Sequence, residues 1–248
     1  MKSIFRIIYI LALVLMSVSC STTRVLQDGE YRLTKNKIRI ENDKEFNPNQ
    51  LNKYLKQNEN LGWSPFLYVY NWTNGQGKGW DKLVQKIGKA PVVYDPEQVE
   101  SSISNITNHL EYLGFYGSEV ESEIKVNKKK VSVTYNVSLG KPYTIKDISI
   151  VLPERGEFRE AFLADTAAMS VRKGDILAEQ SLEEETEAMA ASLRNKGFYT
   201  FSKNNFFFEA DTFSIPGYAL LEMKVNEYTR NETPKDAQPI RKFYIDDV

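Results

Sequence analysis

The chain has 248 residues, of which 42% are hydrophobic, 12% aromatic and 26% charged. This is ordinary globular composition with length for two domains of about 100 residues, and it excludes a disordered or collagen-like chain. Lys and Arg number 32 against 33 Asp and Glu, and removing a leader that carries Lys2 and Arg6 leaves a mature charge of about −3, with no electrostatic footprint for nucleic acid. One cysteine and one histidine exclude a disulfide framework within the chain and multi-histidine metal sites, so no cofactor and no metal or thiol chemistry is expected.

Residues 1–19 read as a bacterial secretory signal peptide: a basic start at Lys2 and Arg6, an apolar run from Ile7 to Met16, then Ser17, Val18 and Ser19. The run is too short for a membrane-spanning helix, which needs roughly 20 residues. Cys20 sits where a lipoprotein signal is cut, although Ser17 replaces the preferred leucine. The alternative is plain secretion with Cys20 incidental. Lipidation of Cys20 would anchor the chain stably to a membrane, and Ser21 in place of an aspartate favours the outer membrane. Residues 20–32 are expected to be a tether.

An internal repeat follows. Gly114-Phe115-Tyr116 recurs as Gly197-Phe198-Tyr199, and Val99, Ile103, Ile106 and Leu110 fall at the same offset on Leu182, Thr186, Met189 and Leu193. The spacing i, i+4, i+7, i+11 is one helical face, ended each time by a glycine suited to a left-handed cap. After each stop comes a hairpin. Val120, Ile124 and Val126 alternate, turn at Asn127 to Lys130, and return through Val131, Val133, Tyr135 and Val137; Phe206, Phe208 and Ala210 turn at Pro216-Gly217 and return through Ala219, Leu221, Met223 and Val225. Ile38 and Ile40, then Ile148 and Ile150, open the copies as strands. Asn47-Pro48-Asn49-Gln50 and Asp95-Pro96-Glu97-Gln98 read as helix starts.

The fold class is therefore α+β: tandem units of strand, helix, helix, strand, strand, each a three-stranded sheet with two helices on one face. The first spans 33–141 and carries an insertion at 58–90 that holds Trp63, Trp72 and Trp80 and the spaced Gly75, Gly77 and Gly79. The second spans 142–230. Residues 231–248 read as a linker and the first strand of an incomplete third unit, since Pro239 to Ile245 repeats the spacing of Pro142 to Ile148.

These units resemble the POTRA repeats of the BamA/TamA outer-membrane assembly family, through Leu182, Met189 and Leu193 leading to Gly197-Phe198-Tyr199 and the equivalent helix ending at Gly114-Phe115-Tyr116. The leader with Asp28-Gly29-Glu30-Tyr31, and the insertion with Leu61-Gly62 and Trp80, are similar to the lipoprotein TamA-like form of Bacteroidetes. The resemblance implies a periplasmic arm ahead of a transmembrane β-barrel. No barrel follows Tyr228, which is expected to mean a natural chain that continues; a barrel-less lipoprotein is the alternative. Implied partners are an outer-membrane β-barrel, unfolded outer-membrane protein clients and an inner-membrane-anchored TamB-like protein. The expected location is the periplasmic side of the outer membrane.

Catalytic patterns are not found, and no enzymatic activity is expected. The glycines at 75–79 lack the strand and Lys-Ser/Thr pair of a phosphate loop, Glu183, Glu184 and Glu185 read as a solvated helix face, and His109 reads as exposed or at a boundary. The tryptophans are expected to form a satellite core, with a binding surface as the alternative. The candidate functional residues are Cys20, for lipidation, and Asn205, Phe206, Phe207 and Phe208. The resemblance implies that this strand lies at a sheet edge, with Phe207 pointing away from the core; Phe207 is then either covered by the insertion or the neighbouring unit, or grips a client strand that adds by β-augmentation. A structural spacer that binds no client stays open as the second function, and an enzyme or small-ligand binder as a third.

Overall fold

The computed structural model describes residues 22–60, 64–73, 79–154, 156–236 and 238–244. Cys20, Leu61, Gly62, Trp63, Gly75, Gly77 and Ile245 lie outside the described residues. The elements in chain order are β1 (Arg32–Ile40), a 3₁₀ turn Pro48–Tyr54, α1 (Pro65–Tyr70), α2 (Trp80–Ile87), α3 (Pro96–Tyr112), β2 (Glu119–Asn127) and β3 (Lys130–Ser138), then β4 (Thr144–Val151), α4 (Glu157–Asp165), α5 (Glu179–Asn195), a 3₁₀ turn Lys203–Asn205, β5 (Phe206–Asp211) and β6 (Tyr218–Val225). Close contacts group the residues up to Thr107 with Glu119–Ser138, and Asn108–Ser118 with Leu139 onward.

Each unit holds one three-stranded sheet, ordered β1-β3-β2 and β4-β6-β5. The central strand pairs in parallel with the first strand and antiparallel with its hairpin partner, and both parallel ladders slip by one residue near the start, at Leu33/Lys35 and Ile145/Asp147. The alternation expected of the central strands is present: Val131, Val133, Tyr135 and Val137, and Ala219, Leu221, Met223 and Val225, are all buried. The helix stops are also alike. Gly114 and Gly197 take φ of 92° and 100°. Phe115 N donates to Leu110 O and Phe198 N to Leu193 O, with Gly114 N and Gly197 N donating to Glu111 O and Arg194 O. That is a Schellman cap, and its left-handed position is why glycine stands there twice.

The second unit's core centres on Phe206, which is fully buried. Its ring lies 5.3 Å from Phe201 and 6.0 Å from Phe162, and Phe158 packs against Phe162, Phe198 and Phe201 in turn. Tilted and edge-on contacts of this kind stabilise beyond their buried area.

Five expectations change. The Pro48 segment is capped by Asn47, whose side chain accepts from Asn49 N, but it forms a 3₁₀ turn instead of an α-helix and closes with Leu55 N donating to Asn52 O, an i to i−3 bond. Residues 22–31 are docked and do not form a loose tether: Thr22 and Leu26 are buried, Arg32 Nη1 donates to Thr22 Oγ1 at 2.6 Å, and Lys129 Nζ donates to the carbonyls of Leu26 and Gln27. Residues 238–244 form no strand; Ile240 packs on the Phe206 core and Phe243 N donates to Gly197 O at 2.8 Å. Trp72 and Trp80 are 47% and 60% exposed, so they are not a satellite core. Glu185 is 4% exposed, unlike its exposed neighbours Glu183 and Glu184.

Glu185 has a specific task. Its carboxylate accepts from Ser170 N at 2.6 Å, Val171 N at 3.1 Å and the Ser170 hydroxyl, so it pins the 170–171 stretch to α5. Removing it leaves the buried Val171 N–H without its acceptor, which costs about 1–3 kcal/mol. Glu185→Ala should lower the stability of the chain by that amount in urea denaturation, whereas Glu184→Ala should change it by less than about 0.5 kcal/mol.

Candidate functional site

The phase of the β5 ladder decides which backbone groups are open. Asn226 N donates to Asn205 O, and opposed pairs alternate from there, with Phe207 facing Lys224 and Glu209 facing Glu222. The N–H and C=O of Phe207, Glu209 and Asp211 therefore point at β6, and those of Phe206, Phe208 and Ala210 point outward. On the side-chain level Phe206, Phe208 and Ala210 share the face that looks toward α5, and Phe207 lies on the opposite face, as expected.

The four candidate edge residues are not equivalent. Asn205 is 5% exposed and fully engaged: its N donates to Ser202 O, its side-chain oxygen accepts from Ser202 N and its Nδ2 donates to Asn226 O. It closes a capping box and is no part of an open edge. Phe206 is a core residue, its N–H is taken by Lys203 O and its carbonyl accepts from Arg230 Nε at 3.2 Å. Phe207 is half-buried, with Tyr228 5.5 Å away covering one side of its ring. Phe208 is half-buried beside Phe206, and with Ala210 it carries the backbone groups left open.

The chain that follows β6 thus occupies the start of this edge. Arg230 N donates to Asn204 O at 3.0 Å, and Arg230 Nε and Tyr228 complete the cover. No sequence signal marked this, because it rests on polar contacts of one loop with residues some 25 positions earlier. Beside the open part lies a groove of about 360 Å³, lined by Leu177, Leu182, Thr186, Phe208, Ala210 and Leu221. Its rim is charged: Glu179, Glu183, Lys203 and Arg230. On the far face Lys224 pairs with Glu209 at 2.7 Å and Glu222 at 2.9 Å, a charged cover that blunts that side of the strand.

Sequence reasoning missed the edge of the first unit. Val120, Ser122, Ile124 and Val126 stand opposite Val137, Tyr135, Val133 and Val131, so they share the helix-side face, yet Ile124 and Val126 are 44% and 56% exposed. Among the described residues no backbone group of β2 bonds to anything but β3. The outer strands β1 and β4 are covered at their starts, by Val92 to Tyr94 and by Gly174 to Leu177. His109 is half-buried and 6.1 Å from Tyr112 in a stacked arrangement.

At the groove rim Lys203 Nζ donates to Glu183 at 2.8 Å and Glu187 at 2.6 Å. This contact holds the Glu183 carboxyl below the usual carboxylate range and pushes the Lys203 ammonium up. A depressed acid is paired above the ordinary carboxylate range, and the pairing is lost as pH falls through its lowered folded value. The site is exposed and screened, so little stability rides on it. Lys203→Met should bring the Glu183 titration, followed by NMR of its carboxyl carbon, back up toward the ordinary range; an unmoved titration would mean that the pair is not formed in solution.

Residues 34–140 match the family model described as POTRA: Surface antigen variable number repeat. The mixed α+β class of this stretch, a three-stranded sheet with helices, agrees with that match. Among solved structures the chain is similar to POTRA3-5 of Haemophilus influenzae BamA, at 13% identity and a TM-score of 0.42 over 82% of this chain and 69% of that one. It is also similar to POTRA1-2 of the periplasmic domain of Omp85 from Anabaena, at 15% identity and 0.33 over 79% and 96%. A third is CdiB from Escherichia coli, at 10% and 0.30 over 84% of this chain but 29% of that one. Among curated proteins no match to the chain is found.

Proposed function

We propose that this chain is the periplasmic, lipid-anchored POTRA arm of an outer-membrane protein assembly or translocation factor, and that it binds client β-strands or a periplasmic partner by β-augmentation. The observation that carries the proposal is the open backbone of Phe208 and Ala210 bordering an apolar-floored groove beside α5. An added strand would satisfy those groups through main-chain bonds that any client can supply, while its alternate side chains enter the groove. The bond that the Phe206 carbonyl accepts from Arg230 Nε at 3.2 Å supports an edge whose outward groups take donors from outside the sheet. The POTRA match of residues 34–140 and the repeated second unit support the arm. The leader before Cys20 supports export and lipidation, in the manner of the TamA-like lipoproteins of Bacteroidetes. The proposed partners are an outer-membrane β-barrel, unfolded outer-membrane proteins and a TamB-like protein, and binding without catalysis is the proposed activity. A spacer without client binding is the second reading, and the charged cover of Glu209 and Lys224 on one face of the edge favours it.

Peptides from barrel strands should bind the chain, and Ala210→Pro, which removes an outward N–H without touching the β6 ladder, should weaken binding by about tenfold, the equivalent of one or two lost hydrogen bonds. Ile124→Pro makes the same test at β2. Titration by fluorescence anisotropy with both variants reads the result. No binding of these peptides would support the spacer, and binding that neither variant weakens would place the client contact away from both edges.

A further inference from the structure

The insertion of the first unit presents exposed apolar side chains on and beside α1 and α2. On α2, Trp80, Leu83 and Ile87 recur at i, i+3 and i+7 and are 60%, 48% and 52% exposed, while Asp81 and Val84 on the adjoining arc are buried. Lys82 and Lys86 border the exposed strip on its other side. Lys89 N donates to Phe66 O at 2.9 Å, which brings the end of α2 to the start of α1, where Phe66 is 54% exposed. Trp72, at the end of α1, is 47% exposed. Among the described residues from Ser64 to Lys89 the single acid is Asp81, and it is 4% exposed, so the solvent side of the patch is apolar and basic.

The beginning of the described chain is fastened to the same place. Arg24 N and Val25 N donate to Asn71 Oδ1 at 2.9 and 3.4 Å, and Asn71 Nδ2 donates to Leu67 O, so Asn71, next to Trp72, clamps this segment onto α1. Thr22 is held in turn by Arg32. A lipid on Cys20 would be at most about 7 Å of backbone from Thr22, at roughly 3.6 Å per residue.

We infer that the α1–α2 face is a membrane-surface contact, with Phe66, Trp72, Trp80, Leu83 and Ile87 seated at the headgroup level of an anionic bilayer and Lys82, Lys86 and Lys89 on its phosphates. Tryptophan with aliphatic side chains and flanking lysines is the composition of an interfacial helix, its lysine stems lying along the apolar surface. The lipid anchor of the proposed function would place the bilayer at this face, and the inference rests on that reading for its orientation. The face supplies the second signal that makes a lipid anchor stable, and it fixes the first POTRA domain against the membrane instead of leaving it to swing on a tether.

The test uses the mature chain, residues 20–248 with Cys20→Ser, so that no lipid is attached. All three tryptophans of the chain are in the insertion, and their emission therefore reports on it alone. With vesicles of phosphatidylethanolamine and phosphatidylglycerol carrying brominated acyl chains, the emission should be quenched. Leu83→Glu with Ile87→Glu, both at exposed positions, should lower vesicle partitioning by at least about tenfold with an unchanged denaturation midpoint. Lys82→Glu with Lys86→Glu should weaken binding to these vesicles but not to uncharged phosphatidylcholine. Ala210→Pro should leave partitioning unchanged, which separates this face from the β5 edge, and the intact mass of the native protein reports lipidation independently. No quenching, partitioning unaffected by the Leu83/Ile87 variant, or a lipid-free dimer that this variant dissolves would each overturn the inference, the last by making a second copy the occupant.

Discussion

A three-stranded sheet has one interior strand and two edges, and everything distinctive here follows from how those edges are closed. In both units the central strand, β3 or β6, is paired on both sides and buried on its helix face. The parallel outer strands β1 and β4 are closed at their starts by the segments 92–94 and 174–177. The antiparallel outer strands return to the center through a hairpin, so only chain from beyond the hairpin can close them. An exposed row of backbone groups is a hazard unless it is charged, shortened or used.

The two units meet this differently. In the second, the chain after β6 folds back over the start of β5, and Asn205, Phe206 and Phe207 are taken up by Asn226, Arg230 and Tyr228. What stays open is short and lies against a groove. In the first, no described residue bonds the outer side of β2, which carries Glu119, Glu121 and Glu123 on one face and shows Ile124 and Val126 on the other. In the proposed function such an edge would derive affinity from backbone groups, which suits clients that share strand structure and little else. The same first unit carries the insertion with its exposed aromatics and the docked start of the described chain, so one small domain joins an open strand edge to an exposed apolar and basic face.

Much of the fold was legible in the residues. The glycines at 114 and 197 announced helix ends because a left-handed cap excludes most side chains, and the period-two runs in the hairpins gave the sheet face that is buried. Legibility failed where the decisive interaction joins polar groups distant in sequence. Glu185 among three consecutive glutamates reads as solvated until Ser170 and Val171 are found beside it. Asn205 reads as a free strand end until its capping box and its bond to Asn226 appear. The insertion was visible as an excess of residues, but nothing in composition separates aromatics that fill a core from aromatics that face outward. The Asn47 cap was legible, and the helix type after it was not, since 3₁₀ and α turns begin alike.

The central claim is that the outward amides of β5 receive a strand. Backbone hydrogen exchange by NMR, with and without a saturating barrel-strand peptide, tests it most directly. In the free chain the Phe208 and Ala210 amides should exchange quickly while those of Phe207 and Glu209, bonded to β6, are protected; with peptide, Phe208 and Ala210 should slow by at least about tenfold, the effect of roughly 1.4 kcal/mol. Fast exchange of both amides in the presence of bound peptide would contradict the account.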